Sequence, residues 1–199
     1  MDILFNFMRT AALWSLAFLI PVVLFLVQPT IELHLAMRGG GTNPEHPTIV
    51  MLGDSHTEIV NWRLLLRCPN IANHGVGGNN TAQILQRLPD VVALKPKLIV
   101  LMAGTNDARR YVPPPETIAN LQAIKEGVTG LGIELISLTP PPLPSRGNAI
   151  STAISAASVT VPFTDDDLMS DKIHLRRSGY AKWRDAVAPI VEKYCDVTG

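Results

Sequence analysis

The sequence predicts an α/β domain: a five-stranded parallel sheet with helices on both faces. Three observations predict it. Short apolar runs alternate with longer amphipathic ones from residue 48 to residue 194, the first and third runs are apolar almost without a break, and Gly, Pro or polar clusters separate the runs. A strand covered on both faces needs near-continuous apolar character, whereas a half-exposed one alternates. Strands are therefore expected at 48–52, 70–74, 98–102, 134–138 and 159–163. Helical patterns fall between and after them, at 58–67, 81–94, 115–130, 148–157 and 178–194. Pro115 suits a first helical turn, where a missing N–H costs nothing, and Gly130 suits the position that closes a helix. Parallel neighbours joined by helices require right-handed crossovers.

Three segments divide the chain: 1–38, 39–47 and 48–199. Residues 11–27 carry no charge, and eleven of these seventeen are Leu, Ile, Val or Phe. At about 1.5 Å per residue such a helix covers roughly 26 Å, close to the lower limit for crossing the hydrocarbon layer. The run is longer than a typical signal-peptide core, and no small-x-small cleavage site follows it before Arg38. An N-terminal hydrophobic helix that anchors an exported domain is expected, with a cleaved secretory signal as the alternative. Residues 39–47 (GGGTNPEHP) read as a linker, because Gly and Pro there deny any regular ladder.

Across its 199 residues the chain is 47% hydrophobic and 17% charged, with a formal net charge of zero. No run of Lys or Arg makes a basic stripe, which argues against nucleic acid as a partner. The two cysteines, Cys68 and Cys195, are too few for a metal cage and lack CxxC spacing.

Chemistry-bearing residues gather where the strands end, which is where ligands bind in open α/β sheets. Gly53-Asp54-Ser55 follows the first strand, Gly75 follows the second, Gly104-Thr105-Asn106-Asp107 follows the third, and Asp171-Lys172-Ile173-His174 precedes the last helix. A serine hydroxyl becomes a useful nucleophile only when a base takes its proton, and the base needs a partner to fix its tautomer. Ser55, His174 and Asp171 supply those three roles. Attack on an ester creates an oxyanion, for which the backbone amides of Ser55 and Gly75 and the side-chain amide of Asn106 are the candidate donors. Each residue alone has a plainer reading: Ser55 as a helix cap, Gly75 as a turn, Asn106 as a loop residue bonding its own backbone. Their conjunction at successive strand ends is what favours catalysis.

These motifs resemble those of the GDSL/SGNH hydrolase superfamily. The resemblance rests on Ser55 in GDS, Gly75 in Asn73-His74-Gly75-Val76-Gly77-Gly78, Asn106 in GTND and His174 in DxxH, and it runs from about residue 48 to residue 191. KPKLIVLMAGTND and HLRRSGYAKW look most like the catalytic subunits of platelet-activating-factor acetylhydrolase and related bacterial esterases. The resemblance implies a flavodoxin-like three-layer α/β/α fold and hydrolysis of acyl or acetyl esters through an acyl-enzyme, with no metal or cofactor. It also implies, through the family's topology, that the first and last helices lie side by side, so that Cys68 and Cys195 can form a disulfide. His56 departs from the family pattern, which commonly has an apolar or small residue after the nucleophile. No G-x-S-x-G elbow is present, which disfavours the α/β-hydrolases.

Other residues have weaker claims. Arg109, Arg110 and Tyr111 follow the oxyanion segment and are candidates to meet an anionic head group, although such a pair is more often solvated. His56 and His74 match no familiar zinc spacing, so no metal site is expected. Asp54 is expected to stabilise its turn. Asp165, Asp166 and Asp167 read as a solvated loop, one of which could compete with Asp171 for His174. Pro140, Pro141, Pro142 and Pro144 suggest a stiff rim near the cleft, and Trp62 and Trp183 suggest core packing. The leading functional expectation is a serine esterase acting on a small lipid or acylated-sugar ester. The alternatives are an O-acyltransferase that passes the same acyl group to a sugar hydroxyl, and an inactive binding module.

Overall fold

In Ile49–Gly53, successive side chains point to opposite faces of the sheet, and all five residues are buried. Ile49 and Met51 enter one apolar cluster, while Val50 and Leu52 enter a second on the other face. That two-residue period fixes the layered architecture. The computed structural model describes residues 21–23, 25, 27–37, 42–142 and 159–195.

Four parallel strands form the sheet: β1 (Ile49–Gly53), β2 (Ile71–Gly75), β3 (Leu98–Met102) and β4 (Glu134–Ser137), in the order β2-β1-β3-β4. Register places Gly53 beside both Gly75 and Met102, so three strand ends meet in one row. Seven helices follow in chain order among the described residues of this region: α1 (Ser55–Glu58), α2 (Trp62–Leu65), α3 (Thr81–Gln86), α4 (Leu88–Ala93), α5 (Thr105–Arg109), α6 (Pro114–Thr129) and α7 (Arg177–Cys195). One cluster joins the sheet to Trp62, Tyr180, Trp183, Val187 and Val191 of α2 and α7. The other joins it to Ile84, Leu88, Val91, Ile124 and Val128 of α3, α4 and α6. Trp62 and Trp183 pack with ring centroids 4.6 Å apart, as core residues.

The strand expected at 159–163 is reduced to one parallel bridge, Leu138 with Val159, beyond β4. Thr139 N–H donates to the Val159 carbonyl at 3.2 Å, but Pro140 and Pro141 come next and have no N–H to extend the ladder. The described sheet therefore has four strands, not five. The expected helices at 58–67 and 81–94 are each split in two. Gly130 does close α6, in an ordinary right-handed conformation; the left-handed residue is Gly132, at φ +74°. The helix expected at 148–157 lies outside the described residues.

The same holds for most of the apolar run at 11–27, and among the described residues no helix is long and apolar enough to cross a membrane. Residues 27–36 are helical, and this helix is docked on the domain. Ala36 is fully buried, Leu33 and Met37 pack against the core, and Asn61 N–H donates to the Ala36 carbonyl at 2.8 Å. Glu32 pairs with Arg67 at 2.5 Å, and His34 touches Arg177. Within the 39–47 segment, the Asn43 side chain pairs with both backbone groups of Asn73 on the edge strand β2, at 2.8 and 3.1 Å.

Cys68 and Cys195 form a disulfide with a Cα–Cα separation of 5.4 Å, inside the range a bridge requires. It joins the end of α7 to the segment after α2, at the end of the sheet opposite Gly53.

Candidate active site

Helix α1 sits on two glycines. A Cβ on Gly75 would lie 2.2 Å from the Glu58 nitrogen, and one on Gly53 would lie 2.2 Å from Thr57 Oγ1. Only glycine lets the Ser55 turn come this close to the strand ends. The helix is capped by Asp54, not by Ser55: Asp54 Oδ1 accepts from the His56 backbone N–H at 2.9 Å. This leaves the Ser55 hydroxyl free to face outward. At the other end of α1, Asn73 Nδ2 donates to the carbonyls of Thr57, Glu58 and Val60 at 2.9–3.1 Å, serving groups that a helix terminus leaves unpaired.

Ser55 Oγ lies 3.1 Å from His174 Nε2. His174 Nδ1 lies 2.6 Å from Asp171 Oδ2, while Asp171 Oδ1 accepts the backbone N–H groups of Ile173 and His174 at 3.0 Å each. A carboxylate only accepts, so Nδ1 carries the proton and Nε2 is free to take one from Ser55. The bond from His174 and the two backbone donors hold the Asp171 carboxyl down to about 2. The loop bearing this pair closes on itself through the antiparallel bridge between Leu168 and Leu175 and a 2.7 Å bond from Met169 N–H to the His174 carbonyl.

Asp167 belongs to that loop's foundation and does not compete for His174. It is buried and accepts from Lys182 Nζ at 2.6 Å and from the Thr164 N–H and hydroxyl at 2.8 and 3.1 Å. The acidic run is thus a short 3₁₀ turn with its last member facing inward, not a wholly solvated loop.

The three proposed oxyanion donors stand in different states. Ser55 N–H is left open by the cap. Gly75 N–H donates to Asn73 Oδ1 at 2.8 Å, and Asn106 Nδ2 donates to the Asn79 carbonyl at 3.0 Å and contacts Asp54 Oδ2 at 3.4 Å. Asn106 lies in the first turn of α5 and is not the loop residue of the plainer reading; Gly104 caps the helix in a left-handed conformation, φ +110°. Arg109 Nη1 donates to Asn106 Oδ1 at 3.2 Å, which orients the amide so that its NH₂ faces Asp54. Arg110 donates to the Gly78 carbonyl at 2.8 Å and to Gln83 at 3.3 Å, and Tyr111 is exposed in a left-handed conformation, φ +57°.

Supporting residues to which the sequence reading gave no role complete the floor. Asp107 is buried and accepts from the Thr81 hydroxyl at 2.5 Å and the Thr81 N–H at 2.9 Å. Arg87 donates to the Gly53 carbonyl at 2.8 Å and to Asn79 Oδ1 at 2.9 Å, tying the end of β1 to the loop that holds Asn106. Burial, with Arg87 nearby, lowers the pKa of His74. Asp107 was visible inside GTND and Asn73 inside the Gly75 motif; Arg87 lies in an ordinary helical pattern and gives no signal. Among the described residues no group of three His, Cys, Asp or Glu side chains converges as a metal site would require.

The model of the GDSL-like Lipase/Acylhydrolase family matches residues 51–182. The human platelet-activating factor acetylhydrolase IB subunit alpha1 is 27% identical over 165 residues, covering 68% of this chain and 71% of that subunit. Among solved structures, the lipase/acylhydrolase from Enterococcus faecalis superposes with a TM-score of 0.62 at 23% identity, covering 74% of this chain and 96% of that one. A carbohydrate esterase family 3 enzyme from Talaromyces cellulolyticus gives a TM-score of 0.63 at 20% identity, covering 76% and 100%. The matched segment begins inside β1, ends inside α7 and contains the serine, the histidine and the carboxylate just described: the chain belongs to the GDSL-like lipase/acylhydrolase family and is a carboxylic-ester hydrolase.

Proposed function

We propose that Ser55, His174 and Asp171 hydrolyse short acyl or acetyl esters of lipids or carbohydrates through an acyl-enzyme. One observation carries this reading: the continuous chain from Ser55 Oγ to His174 Nε2 at 3.1 Å and from His174 Nδ1 to Asp171 Oδ2 at 2.6 Å. Ser55 Oγ attacks the ester carbonyl carbon as Nε2 takes its proton, and the carbonyl π electrons move onto oxygen. The tetrahedral oxyanion collapses, the alcohol leaves with the proton from Nε2, and Ser55 is left acylated. Water then repeats the sequence, releasing the carboxylic acid and restoring the serine. Ser55 N–H meets the oxyanion directly. Gly75 N–H exchanges the Asn73 amide oxygen, and Asn106 Nδ2 the Asn79 carbonyl, for a charged acceptor, and a charge-assisted bond is roughly twice as strong.

The substrate class is supported by the relatives, one named for an acetylhydrolase activity and another for carbohydrate ester cleavage. We propose further that residues 11–27 hold the protein at a membrane with the catalytic domain exported. The uncharged apolar run supports the anchor, and the Cys68–Cys195 disulfide fits an oxidising compartment. Extraction of membranes at alkaline pH tests the anchor: release of the full chain into the supernatant refutes it.

The esterase reading is tested on the full chain in detergent micelles, because Ala36 is part of the core and Leu33 and Met37 pack against it. Nitrophenyl acetate, butyrate and octanoate are turned over, and Ser55→Ala loses about 10³-fold or more in kcat. Equal turnover by Ser55→Ala would refute Ser55 as nucleophile.

A further inference from the structure

His56 is fully buried directly behind the nucleophile, and both its ring nitrogens face acceptors. Nδ1 lies 3.0 Å from Asp54 Oδ1, and Nε2 lies 2.9 Å from the Ile173 carbonyl. A carboxylate and a backbone carbonyl only accept. A neutral imidazole has one N–H, so it would leave one of these contacts as lone pair against lone pair; an imidazolium satisfies both. The ring thus bridges the turn that bears Ser55 and the residue immediately before His174.

We propose that His56 is a positioning residue for the ester hydrolysis: as an imidazolium it clamps the loop carrying His174 onto the nucleophile turn, and its deprotonation at alkaline pH opens the clamp and lowers kcat. The proposal rests on the reading of Ser55 and His174 as nucleophile and base.

The charged and titratable groups around the ring fit this role. Asp54 on its own turn is its counter-ion. On the facing loop, Asp171 adds negative charge, and the His174 ring lies with its centroid 5.6 Å away. From α7, Tyr180 donates its hydroxyl to the His56 carbonyl at 3.0 Å, and burial with Asp54 nearby pushes the Tyr180 pKa far up, so this donor keeps its proton. Burial is the largest single influence on His56 and opposes its charge. The bond to Asp54, that group's negative charge, the Ile173 carbonyl and Asp171 together outweigh it, so the His56 pKa is raised above the ordinary histidine value. With the folded pKa raised, the charged clamp is in place below it and is lost as pH climbs through it. The two imidazoles then have separate carboxylates, Asp171 for the base and Asp54 for the clamp.

Two measurements on the full chain in micelles decide this. The first is ¹⁵N-histidine NMR at pH 7, with the His56 signals identified by their loss in His56→Gln. Protonation of both ring nitrogens is expected, and a neutral tautomer would overturn the proposal. The same spectrum in Ser55→Ala reads the charge without any catalysis, so a failure of Ser55 as nucleophile is told apart from a failure of the clamp. It also requires no folded His56 variant to be active. The second is the pH dependence of kcat with nitrophenyl acetate. Wild type falls on the alkaline side with a midpoint matching the NMR titration. His56→Gln is slower by about tenfold near neutral pH, with KM little changed, and lacks that alkaline fall, since the loop is already released. An unchanged kcat, or the same alkaline fall in His56→Gln, would overturn it.

Discussion

Asp107, at the end of the third strand's motif, holds Thr81, the first residue of α3, by both its hydroxyl and its backbone N–H, at 2.5 and 2.9 Å. The pair fixes the two sides of the proposed oxyanion pocket relative to each other. Asn106 precedes Asp107, and Asn79, whose carbonyl accepts from Asn106, lies just before Thr81. Asp107→Ala leaves a buried N–H and hydroxyl without their acceptor, at about 1–3 kcal/mol for each such group. The expected result is a loss of roughly 3 kcal/mol in stability together with a fall in kcat from the displaced Asn106. Chemical unfolding and steady-state kinetics on the same preparation check both.

Gly75 and Gly132 make a matched pair of tests. A methyl group on Gly75 meets the Glu58 nitrogen at 2.2 Å, so Gly75→Ala must drive α1 away from β2 and carry Ser55 with it. A methyl group on Gly132 meets nothing within 4 Å, but the residue's φ of +74° is strained for any side chain. We expect Gly75→Ala to lower kcat by about 10² or more, and Gly132→Ala to cost about 1 kcal/mol with kcat unchanged. Equal effects of the two on kcat would mean that Gly75 serves the fold only.

The positions of the four strands β1 to β4 and of Ser55, Asp171 and His174 were legible because local rules decide them. Ile49–Gly53 and Leu98–Met102 are apolar throughout since both faces are covered, and the DxxH spacing alone brings a carboxylate to an imidazole. The fifth strand was misread because Val159 to Phe163 has strand composition, while the prolines that cut its ladder short lie on the partner segment. Asp167 was misread for a similar reason: three successive acids look solvated until Lys182, fifteen residues on, is seen to neutralise one of them. Arg87 and the double bond of His56 depend on distant carbonyls, Gly53 and Ile173, and a backbone acceptor leaves no mark in the sequence.

Asp167 gives the fold a specific acid sensitivity. Burial alone would raise its pKa, but Lys182, Thr164 and Ser178 bond the carboxylate and lower it from 3.8 to about 2. A carboxyl whose folded pKa is depressed adds stability above its unfolded value and loses it as pH falls through the folded one. The window is therefore between about pH 4 and pH 2, and at 1.36 kcal/mol per unit the contribution is about 2 kcal/mol. Asp167→Asn should be less stable than wild type at pH 6 by about this amount, with the gap closing toward pH 2. Urea midpoints across the range check the sign, and a gap that widened on acidification would contradict it.

The disulfide and the proposed catalytic groups lie at opposite ends of the sheet, so stability and chemistry should separate cleanly when the bridge is removed. Cys68 precedes the start of β2 and Cys195 ends α7, whereas Ser55 and Gly75 are at the strands' carboxyl ends. The bridge spans 127 residues, a length at which the chain-entropy model assigns about 5 kcal/mol to restriction of the unfolded chain. For a domain of this size that corresponds to a melting point lower by about 10–20 °C in Cys68→Ser/Cys195→Ser. Because the buried α2–α7 contacts around Trp62 and Trp183 persist without the bridge, kcat at 25 °C should stay within about twofold of wild type. Thermal melts with and without reductant, paired with nitrophenyl acetate turnover, make the comparison. A fall in kcat at a temperature where the double variant is fully folded would mean that strain at the far end of α7 reaches the His174 loop.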